Sequence, residues 1–118
     1  MAVQRGEVYF AELGPAVGRE QVGRRPVVVV SNPAINTRPL VVLIVPGTRA
    51  AKSPSSFAGS VLVPRGEANL AEDTVFMAFQ AKAVDPSRFQ SRPTGQLTPA
   101  TMEKIERAIA WSFGLKTS

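Results

Sequence analysis

The 118-residue chain contains no cysteine and no histidine. Without cysteine it has no disulfide, no thiolate zinc site and no thiol nucleophile. Without histidine it lacks both the commonest general base near neutral pH and the commonest metal ligand. Any catalysis must therefore run on carboxylates, arginine, lysine and hydroxyl groups. Long apolar runs are missing as well. The longest, residues 40–46, falls far short of the roughly 20 residues that cross a bilayer. Residues 1–7 hold no apolar stretch of the secretory kind, so a cytoplasmic protein that does not enter membranes is expected.

Acidic residues are also scarce, nine against fourteen lysines and arginines, for a net charge of +5. The excess is local. Between Arg19 and Lys52 stand six basic residues (Arg19, Arg24, Arg25, Arg38, Arg49 and Lys52) and one acid, Glu20; elsewhere the two signs cancel. A concentrated basic window points to an anionic partner, with nucleic acid first. The length fits one domain, 1–118.

Hydrophobic patterning divides the chain into short strands and one terminal helix. Residues 7–13 are rich in aromatic and branched side chains and read as a strand closed by Gly14-Pro15. The run Pro26-Val27-Val28-Val29-Val30 reads as a central strand covered on both faces, with Pro26 as its first residue. Residues 39–45 read as a second such strand, ended by Pro46-Gly47, with Thr48 just beyond. Residues 49–57 form a basic, serine-rich loop containing Lys52 and Ser53. Shorter strands are expected over residues 59–63 and 74–80, and a strand end turning into a helical turn at Val84-Asp85-Pro86-Ser87.

Thr98 is the expected N-cap of the final helix, with Pro99 at its first position and Gly114 beyond its end. Met102, Ile105, Ile109 and Phe113 form its apolar stripe. Trp111 lies off that stripe, either half covered by loops or at a subunit or partner contact. The pattern implies a mainly β member of the α+β class: a small, strongly bent antiparallel sheet or partly open barrel with a helix packed on it.

Antiparallel pairing of the two central strands would bring Arg25 and Thr48 to one rim of the sheet. A guanidinium beside a hydroxyl is a good grip for a phosphodiester, offering forked donors plus one more. With a pKa above about 12, arginine does not act as a base near neutrality. Its use is to stabilise charge that builds on a pentavalent phosphorus. Glu20 is the nearest candidate base in sequence, or else an orienting partner for an arginine. The alternative for Arg19, Arg24 and Arg25 is a solvated charged loop, and for Thr48 a simple turn residue.

The segments Arg5-Gly6-Glu7-Val8-Tyr9-Phe10, Gly18-Arg19-Glu20-Gln21-Val22-Gly23-Arg24-Arg25-Pro26 and Pro46-Gly47-Thr48 together resemble the MazF/PemK family of toxins. The resemblance covers nearly the whole chain and is weakest over residues 49–73. It implies a homodimer of small SH3-like antiparallel barrels, each with a C-terminal helix, that cleaves single-stranded RNA without metal. In such enzymes the ribose 2′-hydroxyl attacks the adjacent phosphate, leaving a 2′,3′-cyclic phosphate and a 5′-hydroxyl.

The resemblance places the catalytic arginine at Arg25, the catalytic threonine at Thr48, and the loop glutamate and glutamine at Glu20 and Gln21. Arg19, Gln21, Arg24, Arg49, Lys52, Ser53, Phe79 and Gln80 are the RNA-binding candidates. It also implies a cognate antitoxin with an acidic or amphipathic segment lying over the same groove. One departure stands out: where the family often has an acid before the late-strand glutamine, this chain has Phe79-Gln80. Phe79 is then either a base-stacking side chain or part of the core. Two other readings remain open, a CcdB-like toxin that binds gyrase through the helix around Trp111 without cutting RNA, and an RNA-binding member impaired in cleavage.

Overall fold

The structure is a computed structural model that describes residues 3–14, 18, 23–37, 41–52 and 57–116. Seven strands build one curled sheet. They are β1 (Glu7–Glu12), β2 (Arg24–Val29), β3 (Val42–Arg49), β4 (Ser60–Val63), β5 (Thr74–Met77), β6 (Lys82–Val84) and β7 (Gly95–Gln96). A one-turn helix α1 (Pro33–Asn36) links β2 to β3, and α2 (Pro99–Ser112) closes the chain. The order is β4-β5-β3-β2-β1-β7, with β6 also paired to β3, and every ladder is antiparallel. This is the bent, partly open barrel with a C-terminal helix that the patterning implied.

The valine run is buried on both faces. Val28 joins Val8, Val45, Phe76, Met102 and Ile105 in a core between sheet and α2. Val27 and Val29 join Tyr9, Ile44, Val42 and Val84 in a second core on the opposite face. Strand alternation alone requires this split, since successive side chains point to opposite faces. The helix begins as expected, with the Thr101 N–H donating to the Thr98 hydroxyl at 3.2 Å. Gly114 follows its end at φ +70°, a conformation that suits glycine. None of the described helices is long and apolar enough to cross a membrane.

Three expectations need correction. Pro46 and Gly47 do not end a strand; they lie within β3, and Thr48 is a strand residue rather than a loop residue. Pro26 is the third residue of β2, not the first. Strand β5 stops at Met77, and Ala78–Gln80 form a 3₁₀ turn.

Hydrogen bonding explains how the sheet tolerates both prolines. The Val30 N–H donates to the Leu43 carbonyl at 2.9 Å, which turns odd-numbered β3 residues toward β2 and even-numbered ones toward the other edge. Pro46 therefore presents its missing N–H to that other edge. There β6 pairing has ended at Ile44↔Lys82 and β5 pairing begins only at Gly47↔Phe76. By the same alternation Pro26 faces β3, and the β2–β3 ladder stops at Val27↔Pro46. On its β1 side, β2 stays paired as far as Glu12↔Arg24. Past Pro26, β2 and β3 are no longer laddered, and the sheet opens there.

Candidate active site

Arg25 and Thr48 lie just past that last pair. Extending the register Val27↔Pro46 by two residues on each strand sets Arg25 opposite Thr48. The Arg25 Nη1 donates to Thr48 Oγ1 at 3.0 Å. Thr48 is 5% exposed, so its hydroxyl is held by packing as well as by the hydrogen bond. A hydroxyl that accepts in this way can still donate its own proton.

Next to Thr48, Gly47 lets β3 run close under β5. A Cβ at that position would come within 2.8 Å of Thr74 Cγ2 and 3.0 Å of Phe76 Cδ1. The dipeptide that reads as a strand terminator in sequence is thus a packing device that seats the threonine.

A cleft of about 270 Å³ surrounds the pair, walled by Phe10, Arg24 and Pro26 on one side and by Arg49, Glu72 and Thr74 on the other. Arg24 lies over the Phe10 ring, its Cζ 4.6 Å from the centroid. Arg49 reaches Glu72 at 3.6 Å with both side chains about half exposed, a geometry that orients Arg49 without neutralising the cleft strongly. Three arginines against one carboxylate leave the described wall electropositive. Among the described residues no group of three or more His, Cys, Asp or Glu could hold a metal ion.

The sequence-derived candidates divide accordingly. Arg25, Thr48, Arg24 and Arg49 share the cleft. Arg19, Glu20, Gln21 and Ser53 lie outside the described residues, and Lys52 ends the 3₁₀ turn that follows β3. Phe79 and Gln80 do not line this cleft. Phe79 is 48% exposed and meets Phe57 edge to face at 5.2 Å. Trp111, 53% exposed, packs on the same Phe57 ring at 5.2 Å. Phe113, expected on the buried stripe of α2, is 63% exposed, because the helix has ended and Gly114 turns the chain. Phe10 and Glu72 were not singled out from sequence. Phe10 joins the site through its pairing with Pro26, and no local pattern reports that register.

Fold and site together define a small curled-sheet protein with a helix on one face and an arginine–threonine pair in a basic cleft. The family described as PemK-like, MazF-like toxin of type II toxin–antitoxin system matches residues 4–113, and the chain belongs to it. Among its relatives is endoribonuclease EndoA of Bacillus subtilis (strain 168), 33% identical over 118 residues, covering 98% of this chain and 97% of the relative. Endoribonuclease MazF of Staphylococcus saprophyticus is 32% identical, covering 98% and 94%. Among solved structures, an endoribonuclease in complex with its cognate antitoxin from a mycobacterial species superposes with a TM-score of 0.80 at 26% identity, covering 99% of this chain and all of that one. MazF from Deinococcus radiodurans shares the fold at a TM-score of 0.81 and 19% identity, covering 98% and 99%.

Proposed function

We propose that this chain is the endoribonuclease toxin of a toxin–antitoxin pair, cutting single-stranded RNA in the cytoplasm without a metal. The observation that carries the reading is the 3.0 Å contact from Arg25 to Thr48 at the floor of a basic cleft. A phosphodiester set there receives N–H donors from the guanidinium and the proton of the Thr48 hydroxyl. As the ribose 2′-oxygen attacks, negative charge grows on the equatorial phosphate oxygens, where these donors are worth most. The 2′-oxygen loses its proton and the departing 5′-oxygen gains one. The products are a 2′,3′-cyclic phosphate and a 5′-hydroxyl end. Glu20, Gln21, Arg19, Lys52 and Ser53 complete the site as base, positioning or backbone-gripping groups, and Arg49 grips the strand from the far wall.

The same reading includes two partners. One is an antitoxin whose acidic segment covers the basic cleft by charge complementarity. The other is a second copy of the chain. Phe57, Phe79 and Trp111 form an exposed aromatic cluster with Phe113 and Leu115 close by in sequence, and contiguous apolar surface of this kind marks an interface. The test of the activity is incubation of the purified protein with a long unstructured RNA in EDTA. Discrete fragments are expected, and intact RNA at high protein concentration would overturn the assignment.

A further inference from the structure

We infer that Arg24 and Phe10 form a base-stacking subsite that holds the nucleobase next to the scissile phosphate. This rests on the ribonuclease reading above and adds to it. Arg24 is exposed, and its Cζ sits over the Phe10 ring, 4.6 Å from the centroid. Its register partner Glu12 carries the opposite charge. Yet the ion pairs among the described residues are Arg5–Glu106 and Arg49–Glu72, so the guanidinium rests on the ring rather than on that carboxylate. Phe10 is a firm base for it. Its ring is half-buried, its backbone N–H donates to Gln90 Oε1 at 2.8 Å, and its strand is paired to β2 opposite Pro26.

A guanidinium is planar, delocalised and weakly hydrated, so it stacks where an ammonium does not. Arg24 is exposed and lines the cleft, so a base can reach its guanidinium from the solvent side. Unstacked bases of single-stranded RNA lie on arginine planes as readily as on aromatic rings. Arg24 and Arg25 leave opposite faces of β2, yet both line the cleft, which lies where the β2–β3 ladder has ended. One nucleotide can therefore set its phosphate on the Arg25–Thr48 pair and its base on Arg24. Every base has a π-face, so the subsite accepts any base and fixes the register of the strand over the chemistry.

The test uses a short single strand with one 2′-deoxynucleotide at the mapped cleavage position, so that it binds without being cut. Matched strands lack the base at either flanking position in turn. For the wild-type protein, removing one of these bases is expected to weaken binding by about five- to hundredfold. In Arg24→Lys, which keeps the charge but loses the plane, the same removal is expected to cost less than about twofold. The dependence of binding on salt should meanwhile stay unchanged. Phe10→Leu should reduce the penalty in the same direction. If wild type binds and cuts RNA but the abasic penalty is equal in wild type and Arg24→Lys, Arg24 is a phosphate contact; the subsite is refuted and the ribonuclease reading stands. If wild type neither binds nor cuts RNA, both fall together.

Discussion

Thr48→Val is the substitution that best separates chemistry from architecture at this site. It keeps the shape of the side chain and removes one oxygen, the acceptor of the 3.0 Å hydrogen bond from Arg25. The Arg25 guanidinium lines a cleft open to solvent, so water can replace the lost acceptor. The added methyl is buried among the residues that already cover Thr48. A replaceable hydrogen bond of this kind contributes about 0.5–1.5 kcal/mol, which bounds the expected loss of stability. Even the upper value leaves a domain of ordinary stability, about 5 kcal/mol or more, almost wholly folded.

The rate should suffer far more. Removing one preorganised donor aimed at developing charge costs about 10²- to 10³-fold. Single-turnover cleavage at saturating protein measures that loss directly, and urea melts of the same preparation measure stability. A rate within about threefold of wild type, against the hundredfold expected for such a donor, would refute the role given to Thr48. A rate loss fully matched by unfolding would make the residue structural.

Other consequences follow from packing and titration. Gly47→Ala should destabilise the protein by about 1–3 kcal/mol, because the new Cβ meets Thr74 and Phe76 at 2.8–3.0 Å; a thermal melt within a degree of wild type would contradict the packing account. Tyr9 is the single tyrosine of the chain, so phenolate absorbance reports it alone. Burial first, then its hydrogen bond and proximity to Glu7, push its pKa up to about 12. Folding thus favours the protonated phenol. Its contribution to stability is complete below the unfolded value of about 10 and is lost as pH rises from there through about 12. A titration midpoint near 10 in folded protein would contradict this. Trp111→Ala should shift self-association toward the monomer in sedimentation experiments, and an unchanged assembly would remove the aromatic cluster from the interface.

The sequence carried the site better than it carried the strand boundaries. Antiparallel pairing of the two apolar runs, inferred from their order along the chain, is what brings Arg25 and Thr48 together. The errors arose at Pro26, Pro46 and Gly47, where proline and glycine were read as punctuation. A proline is compatible with a sheet wherever the ladder on its N–H side is already interrupted, and those interruptions depend on strand neighbours far away in sequence. Phe10 was hidden for the same reason, since it enters the cleft through the β1–β2 register. Phe79 and Phe113 lie where regular structure ends, and periodicity carries no information past that point. The charge pattern was a sound guide: the basic window supplies Arg24, Arg25 and Arg49 to a single cleft.

The central claim is that the Arg25–Thr48 pair acts on a phosphodiester attacked by its own ribose. The most direct measurement uses a DNA strand with a single ribonucleotide at the cleavage position, incubated with the protein in EDTA, and identifies both new ends chemically. The account predicts cutting at the ribonucleotide, with a 2′,3′-cyclic phosphate on one fragment, a 5′-hydroxyl on the other, and no cutting of the all-deoxy strand. Cutting of the all-deoxy strand, or ends bearing a 3′-hydroxyl and a 5′-phosphate, would contradict it.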